Sequence, residues 1–204
     1  MSQALDQLVQ QCKDLSTEEM PWPEGPWIMY QEWHKVFFMS WPVSEDVLRE
    51  KVPASLEIDT FNGQAWISVL PMQMVDLHLR DLPPIPGTSQ FPEINVRTYV
   101  KHNDIAGVYF FSIDAQSHLG SWVADKVFSL PYIYATMNLT ENDGRYFMQS
   151  ERAVSDDHAP AQYVGNYSPA GELGPAEPGS LTHFLIERYA DFAVSKHGAV
   201  YRGD

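Results

Sequence analysis

The stretch Phe91 to Met137 contains three strand-like runs, FPEINVRTYV (91–100), GVYFFSIDA (107–115) and DKVFSLPYIYATM (125–137). In the first run Glu93, Asn95 and Arg97 alternate with Ile94, Val96 and Val100. Successive side chains of a strand point to opposite faces, so this run has one apolar face and one face of Glu, Asn and Arg. Such a strand is either half-solvated or borders a polar pocket. That choice decides most of what the chain does.

A hairpin of Glu93–Lys101 with Val108–Asp114 across the loop His102–Gly107 keeps both faces consistent, which matters because register fixes which face is buried. It sets Lys101 opposite Val108, Tyr99 opposite Phe110, Arg97 opposite Ser112 and Asn95 opposite Asp114. On the other face Val100 meets Tyr109, Thr98 meets Phe111 and Val96 meets Ile113. Glu93, Asn95, Arg97, Ser112 and Asp114 then share one surface, in steps of about 7 Å along each strand. A solvated outer face with a few cross-strand pairs would show the same alternation. Against it, the surface of so acidic a chain is expected to carry plain Glu and Lys. Here Tyr99 and Phe110 lie among convergent polar groups, as in ligand pockets.

Residues 181–192 read as a helix with Ser180 as N-cap. Its apolar stripe is Leu181, Phe184, Leu185, Arg188, Tyr189 and Phe192, so Arg188 falls within it. Either Arg188 snorkels to water, or its guanidinium meets a buried carboxylate such as Glu93 or Asp114.

Elsewhere, residues 2–14 read as a short helix followed by a loop of Pro21, Trp22, Pro23, Pro26 and Trp27. Glu32–Trp41 reads as a strand ended by Pro42, and Ser44 caps a helix running through Val52. Strands Leu56–Asp59 and Ala65–Leu70 flank the turn dipeptide Asn62–Gly63, with the chain extended to Leu79. Tyr132–Leu139 and Arg145–Glu151 form a hairpin across Asn142–Asp143–Gly144. Residues 155–180 read as irregular, and a last strand spans Ala193–Tyr201. With no repeat and no linker, residues 1–204 form one domain: an N-terminal helix and Pro/Trp loop (1–30) and a β-rich core (31–204). The expected class is mainly antiparallel β (α+β), a sandwich or barrel with a few peripheral helices.

Composition bounds the function classes. The chain has 204 residues, 44% of them hydrophobic and 13% aromatic, which suits one domain with a substantial core. A formal charge of -14 argues against nucleic acid and anionic membranes as partners, since phosphate contacts need clustered Lys and Arg. The lone Cys12 cannot form an internal disulfide, and there is no signal-peptide core or membrane-length apolar run, so a cytoplasmic location is expected. Seven scattered histidines without a Cys/His cluster or HExxH give no metal site. No Gly-rich phosphate loop and no Gly-x-Ser-x-Gly elbow appears. No cofactor is expected.

Several segments together carry a family resemblance: SWPVSEDVLREKVPASLEIDTFNGQAWISVLPMQM, LPPIPGTSQFPEINVRTYV, GVYFFSIDAQSHL, FSLPYIYATM and HFLIERYADF. They cover most of residues 33–202, and the chain is similar to domain-of-unknown-function family 2071, the YqjF-like proteins. That family is grouped structurally with acetoacetate decarboxylase. The resemblance implies a mainly antiparallel β-cone or barrel around a small-molecule cavity, and no established reaction. The decarboxylase forms a Schiff base on a lysine activated by desolvation and a neighbouring cation. Tyr132 and Ile133 stand at the positions matching its lysine pair, and Lys126 lies before that motif. Glu93, in FPE, resembles a pocket carboxylate of the decarboxylase. Family members continue past the position of YRGD, which implies either a short member or a truncated chain whose missing segment leaves a sheet edge. A second copy, as a homo-oligomer, could cover it.

The resulting expectation is a small-molecule-binding protein with a decarboxylase-like pocket for an organic carboxylate or carbonyl compound. Arg97 would anchor an anion, and Glu93 would act as general acid/base or orienting group. Asn95, Phe110, Ser112, Asp114 and Arg188 would complete the pocket, with Tyr132 and Tyr134 lining the lysine position. An enzyme working through Glu93 needs that carboxyl buried with at most one cation beside it. A pure binding protein would pair Glu93 fully with Arg97 or Arg188. A structural or interaction protein would expose this face to solvent.

Overall fold

The computed structural model describes residues 25–83, 89–117, 130–155, 157–172 and 174–204, together with Gln7, Gln10 and Asp14. The helix expected over 2–14 and the Trp22 part of the Pro/Trp loop therefore lie outside the described residues, Gln7, Gln10 and Asp14 excepted. Three long strands dominate the described residues: β4 (Ala65–Leu79), β5 (Phe91–His102) and β6 (Ile105–Ala115). Before them come β1 (Met29–His34), β2 (Met39–Val43), helix α1 (Glu45–Arg49) and β3 (Glu57–Ile58). After them come β7 (Tyr132–Asn142), β8 (Arg145–Arg152), β9 (Gln162–Tyr167), helix α2 (Leu181–Ile186), β10 (Ala190–Val194) and β11 (Val200–Gly203).

These strands make one mixed sheet in the order β1-β4-β5-β6-β7-β8-β9, with β2 on β4, β3 on β5, and β10 joining β6 and β11. Most pairings are antiparallel; β6–β7 and β6–β10 are parallel. The architecture is mainly antiparallel β with few helices, as expected. Of the cone or barrel that the resemblance implied, closure is not seen: among the described residues β1 and β9 end the path without pairing to each other.

Turn chemistry sets the joins. Asn62 and Gly63 both take positive φ (52° and 75°), and so do Asp143 and Gly144 (49° and 73°), as tight hairpin turns require. Ser44 caps α1 by accepting a bond from the Val47 amide, and Ser180 caps α2 through the His183 amide. Several expected elements differ. The strand expected over 32–41 splits in two at Lys35, whose φ is 54°. β9 lies inside the segment expected to be irregular, and the final strand is a hairpin of β10 and β11. Helix α2 stops at Ile186, so Arg188 lies beyond it.

The β5–β6 pairing departs from expectation in an informative way. Asn103 and Asp104 both have positive φ (51° and 64°), so the turn closes in two residues and Lys101 meets Ala106. Asn and Asp tolerate this conformation because short polar side chains bond their own backbone. A slip of two residues preserves the faces. Further along, Arg97 pairs with Phe110 and Val96 with Ser112, leaving Phe111 over as a bulge. That single extra residue moves every later β6 side chain to the other face. Ile113 and Ala115 now lie opposite Asn95 and Glu93, whereas Ser112 and Asp114 lie opposite Val96 and Ile94.

Strand β5 is consequently buried on both sides. Ile94 packs with Ala135, Met137 and Met148 on one face, and Tyr99 packs with Val108, Phe110 and Ile113 on the other. Val100 joins a third cluster with Leu48, Leu56 and Phe192. The parallel β6–β10 contact depends on Gly107, where a Cβ would sit 2.5 Å from the Ala190 carbonyl oxygen and 2.7 Å from the Phe192 ring. Gly107→Ala is therefore expected to lower the unfolding free energy by about 1–3 kcal/mol, the usual cost of overpacking. Gly174→Ala, with open space around it, should stay within about 0.5 kcal/mol of the parent in the same urea titration.

Candidate functional site

The face of β5 that carries Glu93, Asn95 and Arg97 is closed to solvent, with those residues 1%, 1% and 2% exposed. Strand β4 adds Trp66, Ser68, Leu70 and Met72 to the same face, because Ser68, Leu70 and Met72 pair with Arg97, Asn95 and Glu93. Strand β7 adds Tyr132 and Tyr134 through its parallel register with Ile113 and Ala115. Among the described residues, the buried side-chain polar atoms without a hydrogen-bond partner are Trp66 Nε1, Glu93 Oε2, Asn95 Oδ1 and Arg97 Nε. All four lie on this one face. Buried polar groups are normally satisfied, so such a concentration on one face is unusual in a folded interior.

Among the described residues Glu93 has no cation beside it, so the pairing with Arg97 or Arg188 expected of a pure binding protein is not found there. Its carboxyl takes hydrogen bonds from the Tyr132 hydroxyl and the Asn95 amide, yet burial outweighs both and pushes its pKa up to about 8. Burial, reinforced by the Glu93 carboxyl, pushes the Tyr132 hydroxyl well above its ordinary value. At neutral pH Glu93 is thus mostly a neutral acid, able to donate a proton.

Arg97 is a buried cation without a counter-charge: no carboxylate among the described residues lies within ion-pair distance. One guanidinium nitrogen donates to the Leu185 carbonyl at 3.0 Å, so Arg97 helps satisfy the C-terminal end of α2. Its charge lies 5.3 Å from the Phe38 ring centre and 5.8 Å from that of Tyr99. Burial, and the nearby Arg188, lower its affinity for a proton. Tyr99 is itself held by Ser68 at 2.6 Å, and Ser68 by Ser40 at 2.7 Å.

Arg188 meets a carboxylate, as one of the two open alternatives had it, though neither Glu93 nor Asp114. It pairs with buried Asp59 at 2.7 Å while its Nε donates to the Phe184 carbonyl. Asp59 also holds Lys101 at 3.1 Å. Nothing in the sequence pointed to Asp59, which follows a two-residue strand and lies far from Arg188 along the chain.

Ser112 and Asp114 do not join the Glu93 face. The bulge turns them to the opposite side, where Arg152 binds Asp114 at 2.8 Å and the Ser112 hydroxyl at 3.0 Å. Phe110 stays on the Arg97 side, opposite Arg97 itself.

Beside Arg97 opens a cleft of about 450 Å³ lined by Trp33, Phe38, Arg97, Ile186, Glu187, Arg188 and Tyr189. Of these, only Arg97 and Arg188 were singled out as ligand-binding by sequence; Tyr189 was read as part of a helix stripe. A smaller space of about 280 Å³ lies between Tyr109, Phe110, Leu130, Pro131 and Phe192–Val194, and carries no charged side chain. No group of three or more His, Cys, Asp or Glu able to hold a metal ion occurs among the described residues. Nor is any helix among them long and apolar enough to cross a membrane.

Residues 30–204 match the model of domain-of-unknown-function family 2071, described as an uncharacterised conserved protein. Over 179 residues the chain is 42% identical to the uncharacterised protein YqjF of Bacillus subtilis (strain 168), covering 88% of this chain and 73% of that one. Among solved structures it is similar to an acetoacetate decarboxylase, with TM-score 0.57 and 16% identity over 93% of this chain and 71% of the other. The acetoacetate decarboxylase of Legionella pneumophila gives TM-score 0.54 and 12% identity, over 88% of this chain and 64% of that enzyme. The enduracididine biosynthesis enzyme MppR complexed with pyruvate gives TM-score 0.51 and 13% identity, over 86% and 66%. This chain thus spans less than two thirds of the latter two. At these identities the likeness shows the fold.

The Glu93 environment has a measurable consequence. Its folded pKa lies above the unfolded value, so the stability it contributes is fully present below about pH 4.5 and is lost as pH rises toward about 8. Between those limits the unfolding free energy of the parent should fall about 1.4 kcal/mol per pH unit more steeply than that of Glu93→Gln. Urea titrations of both proteins at pH 5, 6 and 7 check this; parallel lines would mean that Glu93 ionises freely.

Proposed function

We propose that this chain, which belongs to domain-of-unknown-function family 2071, binds a small organic carboxylate, with Arg97 as the anion anchor. The observation that carries this is the buried, uncompensated guanidinium of Arg97 at the floor of the 450 Å³ cleft. A buried charge is costly unless something pairs with it. A carboxylate entering the cleft would meet the free Nε, which presents one of the donors that a bidentate pair uses. Trp33 and Phe38 supply apolar wall. Asn95 and Glu93 lie on the same face as Arg97, at steps of about 7 Å along β5, and are not part of the cleft lining.

A second reading adds chemistry at Glu93, deeper on the same face. Glu93 has no cationic partner and is held neutral by burial, the state in which a carboxyl group donates a proton to a carbonyl oxygen or a developing carbanion. Tyr132, bonded to Glu93, orients it. No imine forms on this reading, Tyr132 and Ile133 occupying the positions that the family resemblance assigns to the decarboxylase lysines.

Pyruvate, which MppR holds in its complex, is the first probe, with lactamide as a neutral control. Isothermal titration should show pyruvate binding to the parent and weakening about 10- to 100-fold in Arg97→Met, the range of one charge-assisted hydrogen bond. Equal affinity in both proteins would end the anchor role. With a carboxylate found to turn over, Glu93→Gln should retain binding while losing turnover; loss of both together would assign Glu93 to binding alone.

A further inference from the structure

The lining of the Arg97 cleft narrows the ligand class further, and this step rests on the carboxylate reading of Arg97. Two guanidinium groups border the cleft, but they differ in charge balance. Arg188 is neutralised by Asp59 at 2.7 Å, with both side chains buried. Lys101 shares Asp59, but its side chain is 40% exposed and its charge is screened by water. Among the described residues, Arg97 is buried without a counter-ion. The third charged group in the cleft lining is the Glu187 carboxylate, which accepts a hydrogen bond from the Tyr189 hydroxyl at the same wall. The cleft lining thus holds one guanidinium without an ion-pair partner among the described residues and one carboxylate.

The mouth is apolar. Trp33, Ile186 and Tyr189 are 40%, 36% and 60% exposed, and all three line this cleft, as does Phe38 beside the Arg97 guanidinium. Exposed apolar groups scattered singly need no explanation, but a set converging on one charged floor does. A volume of about 450 Å³ exceeds what a two- or three-carbon acid fills.

From this balance we infer that the ligand is a monocarboxylate with an aromatic or branched apolar body. Its carboxylate pairs with Arg97, its body lies between Trp33, Phe38, Ile186 and Tyr189, and Glu187 repels a second anionic group. Exclusion of a dianion by Glu187 is then a specificity device, since like charges brought together in a partly desolvated cleft strongly disfavour the wrong ligand.

Isothermal titration with four probes tests this: 3-phenylpropanoate, acetate, phenylsuccinate and 3-phenylpropanol. The expected order places 3-phenylpropanoate about tenfold or more tighter than acetate, through buried ring area, and likewise tighter than doubly charged phenylsuccinate. The alcohol should not bind measurably. In Glu187→Gln, a substitution at a half-buried position, phenylsuccinate should recover most of its deficit while 3-phenylpropanoate changes little. Acetate binding as tightly as 3-phenylpropanoate, or phenylsuccinate binding tightest in the parent, would overturn the ligand class while leaving Arg97 as a carboxylate anchor. Failure of all three acids, or equal binding of the alcohol, would overturn the anchor role and this inference with it.

Discussion

One extra residue in β6 decides where the charges of this protein go. With a ladder continued regularly from Arg97 and Phe110, Ser112 would sit opposite Asn95 and Asp114 opposite Glu93, all on the face that carries Arg97. The bulge at Phe111 prevents this by shifting the register one step between Arg97 and Val96. Asp114 and Ser112 are turned toward Arg152, which satisfies them with bonds of 2.8 to 3.2 Å. The opposite face keeps Glu93 and Arg97 without partners of opposite charge. A bulge here separates a self-neutralised structural cluster from a face left electrostatically open.

The two arginines near α2 show the same division of labour. Both donate to carbonyl groups of its last turn, Arg97 to Leu185 and Arg188 to Phe184, as cations at a helix C-terminus commonly do. Arg188 also has Asp59, and its desolvation is largely offset by that pair and by the Phe184 ring 4.2 Å from its charge. Among the described residues Arg97 has the Leu185 carbonyl, the Tyr99 hydroxyl and aromatic neighbours. Replacing Arg97 by an apolar residue would remove an unpaired buried charge, so stability alone gives little reason for its presence.

How much of this was legible in the sequence follows from the range of each interaction. The alternation in β5, the Asn62–Gly63 and Asp143–Gly144 turns and the Ser44 and Ser180 caps are local and read directly. The two-residue turn at Asn103–Asp104 was readable in principle, because both residue types tolerate positive φ, but the loop expected over His102–Gly107 is four residues longer. The bulge was not readable: GVYFFSIDA alternates equally well with Phe111 in or out of register, and tertiary packing of Ile113 against Tyr99 decides. Asp59 and Arg188 meet across 129 positions, and Glu187 contributes through a bend after α2 that periodicity placed inside a helix. The family resemblance supplied the fold and drew attention to Glu93, while the identity of the cleft walls came from long-range contacts alone.

Four orphaned polar atoms on one face would threaten most small domains, since each costs on the order of 1–3 kcal/mol. Here β5 is buried on both sides, so the strand does not depend on the face that carries them. Its other face packs Ile94 against Ala135, Met137 and Met148, and Val100 into the cluster around Leu48, Leu56 and Phe192. These contacts fix the backbone of β5, and the backbone in turn fixes where Glu93, Asn95 and Arg97 point. A face held in place from behind can remain polar and unsatisfied without collapsing onto itself. That is the physical condition for preorganisation, because groups held this way keep their positions without partners.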